Sequence, residues 1–200
     1  MLKVGLTGSI AVGKSFVCDI LRELGAFVLD ADQTAREVVA PNTKGLQAIV
    51  ENFGREILQA NGELDRSKLG AIVFADERKR QLLNSIVHPL VIERQNEWLQ
   101  KRERENADAI CIIDAALMIE SGGYKRFDKV IVVWCQPAIQ LKRLMLRSNL
   151  SPEEATKRVN SQMPQEEKKR YADFLIDTSK GFEAARRRAL EVFEQLKLLI

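Results

Sequence analysis

The residues with the clearest chemistry lie near the N-terminus, in the stretch GSIAVGKS at positions 8–15. This stretch fits the pattern G-x-x-x-x-G-K-[ST], in which main-chain N–H groups surround a chain of phosphates. Gly8 and Gly13 let the main chain turn tightly and approach an anion that a side chain would block. Lys14 can reach the β- and γ-phosphates, and the Ser15 hydroxyl is a ligand for Mg²⁺. The pattern therefore predicts a site for a nucleoside triphosphate.

The segments on either side of this loop have the patterns that the motif requires. Residues 2–7 (LKVGLT) are apolar and β-branched, which predicts a buried strand. Residues 16–24 (FVCDILREL) place apolar side chains on one side of a helix that Gly25 ends. Residues 26–30 (AFVLD) are a second predicted strand. The N-terminus of the helix adds its dipole to the N–H groups of the loop, and both favour an anion.

Two carboxylates follow predicted strands at the sheet edge where ligands bind in open α/β folds. Asp32 comes after the strand at 26–30 and is a candidate general base for a phosphoryl acceptor. It is equally a candidate N-cap for a predicted helix at 33–39, because aspartate is a preferred cap. Asp114 ends a third buried strand at 109–114 and is a candidate ligand of Mg²⁺, directly or through water.

Residues 36–105 have helical patterns only and separate the second predicted strand from the third. This stretch is too long for a simple connection, so we expect it to bind or cover a ligand. His88-Pro89 is expected to end one helix and begin another. The single histidine of a chain is more often packed than catalytic. Arg66 is either a contact for a ligand phosphate or a solvated charge.

Basic side chains mark two predicted helices that follow a strand at 129–135. The helix at 137–147 carries Arg143 and Arg147, and residues 151–154 (SPEE) are a capping box that begins the next helix. Two such helices at a sharp turn predict a lid rather than an ordinary basic surface. A lid arginine can stabilise charge on a transferred phosphoryl group, and lid closure excludes water. Both arginines are therefore candidate catalytic residues.

Composition favours one globular domain. The 200 residues are 46% hydrophobic and 30% charged, and the net charge of +3 is too mild to indicate a nucleic-acid partner. No apolar run approaches the roughly 18 residues of a membrane span, and no signal peptide is recognisable, so we expect a cytoplasmic protein without a membrane partner. The three cysteines form no C-x-x-C pair, which favours buried thiols. Strands alternating with helices, with a last strand at 173–177 and a helix at 182–199, predict a parallel sheet.

Taken together, these motifs resemble the dephospho-CoA kinase family over nearly the whole chain. The matching stretches are GLTGSIAVGKS at 5–15, DADQTAREVV at 30–39, LDRSKLGAIVF at 64–74, HPLV at 88–91, ALMIESG at 116–122, QLKRLMLR at 140–147, RVNSQ at 158–162 and ADFLID at 172–177. The resemblance implies transfer of the γ-phosphoryl group of ATP, with Mg²⁺, to the 3′-hydroxyl of dephospho-CoA. It also implies a P-loop fold with a five-stranded parallel sheet.

The resemblance implies a single domain with three parts. The core comprises residues 1–35, 106–139 and 170–200, a helical CoA-binding region spans 36–105, and a lid spans 140–169. We expect a monomer or weak homo-oligomer whose partners are ATP and dephospho-CoA.

Individual roles also carry over by position. Asp32 becomes the base that takes the ribose hydroxyl proton, and Arg143 or Arg147 becomes the catalytic lid arginine. Arg66 and His88 lie in the region that matches acceptor binding. The candidate contacts of ATP in the loop are Gly8, Ala11, Val12, Gly13, Lys14, Ser15 and Phe16, of which Lys14 is also catalytic and Ser15 also binds the metal.

The chain departs from the family pattern at a few positions. Ala11 and Val12 stand where the family usually has glycine, serine or another small residue, but their main-chain N–H donors survive. Phe16 stands where threonine is usual, so a hydroxyl near the α-phosphate is lost. Thr178 replaces the second residue of the usual Asp-Asn pair. We expect none of these changes to remove the phosphate-binding loop.

Other classes of P-loop protein predict features that can be compared with this chain. Another small-molecule P-loop kinase, acting on a nucleoside monophosphate, shikimate or gluconate, would share the loop and the lid. A GTP-dependent switch would carry an N-K-x-D element, which this chain lacks. A nucleic-acid-dependent ATPase would show a basic face with aromatic residues, but only 6% of the residues are aromatic and the charges are mixed.

Overall fold

A five-stranded parallel sheet organises the larger of two units into which the chain divides. The computed structural model describes residues 1–200; one unit comprises residues 1–30 and 102–200, and the other comprises residues 31–101. The strands are β1 (Leu2–Thr7), β2 (Phe27–Asp30), β3 (Ile110–Asp114), β4 (Lys129–Trp134) and β5 (Phe174–Asp177), in the order β2-β3-β1-β4-β5. All neighbouring strands are parallel, which confirms the predicted α/β fold.

The central strands are continuous apolar runs, as expected where both faces of a parallel sheet are covered. Every residue of β3 is buried, and the middle of β4 is buried as well. Leu6 of β1 lies opposite Asp114 in β3 and Ile131 in β4, while Asp30 of β2 lies opposite Asp114 on the other side. The carboxyl ends of β1, β2 and β3 therefore meet at one edge of the sheet.

Nine α-helices accompany the strands. They are α1 (Lys14–Glu23), α2 (Ala31–Glu37), α3 (Lys44–Phe53), α4 (Arg66–Ala75), α5 (Glu77–Glu105), α6 (Pro137–Ser148), α7 (Pro152–Asn160), α8 (Gln165–Lys169) and α9 (Phe182–Lys197). None of them combines the length and the apolar character that crossing a membrane requires. Helices α1 and α6–α9 belong to the sheet unit, while α2–α4 and most of α5 form the other unit.

Helices α1 and α9 share one apolar core with the strands. Val17 and Leu21 of α1 pack in this core with Val192 of α9, and all three are fully buried. Five side chains of α9 are buried, whereas its first residue, Phe182, is 69% exposed. Its ring instead packs edge-to-face on the ring of Phe16, with 4.7 Å between the centroids.

The smaller unit has its own core, to which α3, α4 and α5 contribute side chains. The Thr43 hydroxyl caps α3 by accepting a hydrogen bond from the Leu46 N–H. Asp65 caps α4 in the same way, since its carboxylate accepts from the Lys68 N–H at 2.9 Å. These caps satisfy main-chain donors that the first turn of each helix leaves without a partner.

The prediction that His88-Pro89 interrupts a helix is wrong, because α5 runs unbroken through both residues. A proline inside a helix removes one hydrogen bond and costs about 3 kcal/mol. Two features offset that cost. Ile86 and Val87 pack on the core of the smaller unit, and Pro89 itself is exposed, so water can reach the carbonyl that loses its N–H partner.

Replacing either of two helical glycines of the smaller unit with alanine is expected to change stability in opposite directions. In Gly45→Ala, the new Cβ would overlap the carbonyl oxygen of Val38 and press on Leu90. We expect this variant to lose about 1–3 kcal/mol of unfolding free energy through overpacking. In Gly70→Ala, the new Cβ meets no atom within 4 Å, so we expect a gain of about 0.5–1 kcal/mol from helix propensity.

Urea unfolding followed by circular dichroism measures both variants, and Gly70→Ala is the matched control. Equal effects of the two substitutions would contradict the close packing of α3 against the chain at Val38.

Candidate functional site

The phosphate-binding loop predicted from the sequence joins β1 to α1, and its two glycines occupy positions that exclude other residues. A Cβ at Gly8 would lie 2.5 Å from the carbonyl oxygen of Val133, so only glycine lets the loop lie against β4. Gly13 has a φ of 89°, in the left-handed region that glycine adopts without strain. The loop can therefore take this path only with glycine at both ends.

Main-chain donors without partners are concentrated in this loop and in the first turn of α1. The N–H groups of residues 11–16 donate no hydrogen bond to any protein atom. The hydroxyl oxygen of Ser9 is also buried without a hydrogen-bond partner. Six consecutive free donors at a helix N-terminus, where the dipole is positive, form a site suited to a polyanion.

One residue of the loop is strained. Ala11 has a φ of 61°, and a residue with a side chain loses about 1–2 kcal/mol in this left-handed region. The preceding residue, Ile10, is held on both sides by side chains. Its N–H donates to Oε1 of Gln162 at 2.7 Å, and its carbonyl accepts from Nε2 of Gln140 at 2.8 Å. The surroundings of the loop thus support a conformation that Ala11 alone disfavours.

Lys14 and Asp114 form a largely buried ion pair at the carboxyl edge of the sheet. Nζ of Lys14 donates to Oδ1 of Asp114, which is 6% exposed. The other carboxylate oxygen accepts a hydrogen bond from Sγ of Cys18 at 3.4 Å. Burial raises the pKa of the Cys18 thiol, which therefore stays protonated and keeps its role as donor. The structure thus brings the loop lysine and the acid at the end of β3 into direct contact.

The protein oxygens near the loop are suited to bind Mg²⁺ that is also bound by the phosphates of a substrate. The chain has no group of three or more His, Cys, Asp or Glu side chains that could hold a metal by itself. Mg²⁺ usually keeps several waters and binds through one or two carboxylates together with substrate phosphates. Ser15, whose hydroxyl forms no hydrogen bond with the protein, and Asp114 are hard donors of that kind.

The two candidate lid arginines of α6 have different surroundings. The guanidinium of Arg143 donates to the side-chain and main-chain oxygens of Thr178, at 2.8 and 2.9 Å. The Thr178 hydroxyl in turn donates to the carbonyl oxygen of Val12 at 2.6 Å. Arg147 is exposed and makes no hydrogen bond or ion pair with the protein. Arg143 is therefore committed to holding the loop, whereas the charge of Arg147 is available to a ligand.

A cavity of about 470 Å³ lies beside the loop. The rings of Phe16 and Phe182 form part of its wall, and both lid arginines and Thr178 reach it. Ligand pockets with largely apolar walls and a few polar groups suit flat aromatic molecules. The cavity borders residues 11–13 of the loop. A ligand whose aromatic ring lies in the cavity could therefore place its phosphates against the loop.

The other three predicted site residues lie in the smaller unit. Asp32 is exposed in the first turn of α2, which begins at Ala31, so the prediction that Asp32 caps this helix is wrong. Arg66 begins α4, and its guanidinium lies 3.4 Å from the carbonyl oxygen of Arg36. His88 is exposed on α5 beside a shallow hollow that Ile92 also lines.

Several polar residues around the loop escaped the sequence analysis. Gln165 donates to Oε1 of Gln140 at 2.8 Å and accepts from the Cys135 N–H at 3.0 Å. Lys168 is fully buried, where Nζ contacts the carbonyl oxygen of Ala116 and Oε1 of Glu120, each at 2.8 Å. Some of the residues in these contacts lie in the stretches 116–122, 140–147 and 158–162 that resemble the family, which was the only sequence signal for them. Contacts between side chains distant in sequence leave no local pattern.

Comparisons with known proteins agree with this geometry. A family model described as dephospho-CoA kinase matches residues 2–183. A dephospho-CoA kinase of Listeria monocytogenes is 45% identical over 189 residues, which cover 94% of this chain and 93% of that protein. A solved Thermus thermophilus protein, TT1252, has a TM-score of 0.82 at 29% identity, covering 97% of this chain and 96% of its own.

A solved dephospho-CoA kinase of Campylobacter jejuni has a TM-score of 0.74 at 32% identity, covering 98% of this chain and 96% of its own. The family model and these relatives extend over both units and over the phosphate-binding loop. The chain is a P-loop kinase and belongs to the dephospho-CoA kinase family.

Proposed function

We propose that this protein transfers the γ-phosphoryl group of ATP to the 3′-hydroxyl of dephospho-CoA, which yields coenzyme A and ADP. The observation that carries the proposal is the run of six unpaired N–H groups at residues 11–16, beside Lys14, in a chain of this family. The ribose oxygen attacks the γ-phosphorus, the bond from that phosphorus to the β,γ-bridging oxygen breaks, and the hydroxyl proton passes to a base. The enzyme is then cytoplasmic and acts as a monomer or weak homo-oligomer.

The nucleotide would occupy the larger unit. Its base enters the cavity walled by Phe16 and Phe182, and its phosphates accept hydrogen bonds from the N–H groups of residues 11–16. Lys14 exchanges its contact with Asp114 for the β- and γ-phosphate oxygens. Ser15 and Asp114 would hold Mg²⁺, directly or through water. When bound, the ion neutralises charge on the β- and γ-oxygens.

The acceptor would be handled by the smaller unit. Asp32 is our candidate for the base that takes the ribose hydroxyl proton, since it follows Asp30, the residue opposite Asp114 in the sheet, by two positions. Arg66 and His88 are candidates for binding dephospho-CoA, because both side chains are exposed on helices of this unit.

The lid would act through one arginine. Arg147 makes no contact with the protein that must break, so it can turn toward the transferred phosphoryl group. Arg143 would keep its bonds to Thr178 and hold the loop. We therefore assign charge stabilisation in the transition state to Arg147 and a supporting role to Arg143.

Substrate choice tests the proposed reaction. We expect ATP consumption to depend on dephospho-CoA and to stay near background with AMP, UMP, shikimate or gluconate, because the chain belongs to the dephospho-CoA kinase family. A coupled assay of ADP release, with the product identified by mass spectrometry, measures this. A higher kcat/KM for a nucleoside monophosphate would assign the protein to another class of P-loop kinase.

Asp32→Asn tests the base. We expect kcat to fall by about 10²–10⁴, the usual contribution of general base catalysis, while the Kd of ATP changes less than about threefold. Steady-state kinetics and calorimetric titration with ATP measure the two effects. Glu37→Gln, at the other end of α2, is the matched control and should retain wild-type turnover. Turnover of Asp32→Asn within twofold of wild type would remove Asp32 from the chemistry.

Alanine substitutions at the two candidate lid arginines are expected to impair different properties, kcat in one case and stability in the other. We expect Arg147→Ala to lower kcat by about 10³ or more with an unchanged melting temperature, since lid arginines stabilise transition-state charge. Arg143→Ala should instead cost about 1.5–3 kcal/mol of stability, because it removes two charge-assisted hydrogen bonds to Thr178. Thermal unfolding and single-turnover kinetics separate the two. A large kcat loss confined to Arg143→Ala would reverse the assignment.

A further inference from the structure

Both polar main-chain groups of Ile10 are bonded to glutamines that lie far away in the sequence. Gln140 is on α6, and Gln162 follows the end of α7 by two residues, so both belong to the segment 140–169 that we interpret as the lid. The carbonyl of Ile10 accepts from Gln140 at 2.8 Å, and its N–H donates to Gln162 at 2.7 Å. We call these two side chains the glutamine clamp.

One arm of the clamp is itself fixed. Gln140 is 1% exposed, and its Oε1 accepts a hydrogen bond from Nε2 of Gln165. Oε1 of Gln165 accepts from the Cys135 N–H, just after the end of β4. This relay determines which end of the Gln140 amide faces Ile10, because a rotated amide would present oxygen to the Ile10 carbonyl and nitrogen to Nε2 of Gln165.

The clamp acts at the point where the loop is strained. Ala11, the next residue, has a φ of 61°, and no glycine lies between Gly8 and Gly13 to take up the turn. A side chain in this region persists only where the surrounding structure determines it. The contacts of the clamp are the hydrogen bonds that hold the peptide groups immediately before Ala11.

We propose that Gln140 and Gln162 are positioning residues, which keep Ala11 in the left-handed conformation and so preserve the arrangement of N–H groups that receives the phosphates of ATP. The glutamines do not touch the nucleotide; they act through Ile10. This inference rests on the proposal that the loop binds ATP. It makes ATP affinity depend on the lid even before any lid arginine reaches the nucleotide.

A suppressor experiment tests the proposal. Gln162→Met removes the acceptor of the Ile10 N–H at nearly constant volume, and we expect it to raise the Kd of ATP about tenfold. In an Ala11→Gly background the same substitution should raise the Kd less than about threefold, because glycine adopts a positive φ without strain. Calorimetric titration of the full chain with ATP, without acceptor, measures all four proteins.

Gln140→Met provides a second variant and should follow the same pattern, with an added loss of stability because it leaves the Gln165 amide without its partner. Gln195→Met, exposed on α9, is the matched control and should leave the Kd of ATP unchanged. Equal losses in the wild-type and Ala11→Gly backgrounds, or a loss below twofold in the wild-type background, would overturn the proposal. Failure of the wild-type protein to bind ATP would instead contradict the proposed function.

Discussion

The structure depends on keeping a short run of main-chain N–H groups without protein partners. Between β1 and α1 the backbone turns through Ala11 and Gly13, both with positive φ, and leaves the N–H groups of residues 11–16 free for an anion. An unpaired donor favours any conformation that would give it a partner, so such a loop must be held from outside. Close packing of Gly8 on β4 holds one end, and Thr178, which binds the Val12 carbonyl, holds the other.

This constraint explains why the segment 140–169, which we interpret as a lid, contains side chains that support the loop. From α6, Gln140 and Arg143 reach the loop one turn apart, the first directly and the second through Thr178. Arg147, another turn along the same helix, has no such bond. Helix α6 thus supports the loop through two side chains and also presents the unpaired guanidinium of Arg147. In a dephospho-CoA kinase this arrangement would relate the position of the lid to the shape of the nucleotide site.

The sheet edge adds a second constraint, which concerns charge. Lys14 and Asp114 are brought together by the register of β1 and β3, and Cys18 donates to the remaining carboxylate oxygen. A buried carboxylate needs partners of this kind, because an unpaired charge away from water is costly. The ion pair keeps the lysine beside the loop, where approaching phosphates can become its anionic partner.

Local sequence determined the strands, the phosphate-binding loop and the capped helices, because each of these depends on neighbouring residues. Strand β1 has the predicted bounds, and the capping box that begins at Ser151 forms as expected. Where local sequence patterns predicted the wrong structure, tertiary packing determined the conformation. Proline at position 89 disfavours a helix, yet α5 continues because apolar side chains beside it pack on the smaller unit's core. Phe182 has a helical apolar position but lies against Phe16 instead of the core.

The sequence by itself also named the family and the chemistry, since a motif such as G-x-x-x-x-G-K-[ST] records residue types that phosphate binding demands at fixed spacing. Only the tertiary structure separated Arg143 from Arg147, and only the tertiary structure identified the glutamine clamp and the buried Lys168. The physical reason is distance along the chain. These side chains act on partners roughly 35 to 150 residues away, and such contacts leave no local pattern from which their roles could be inferred.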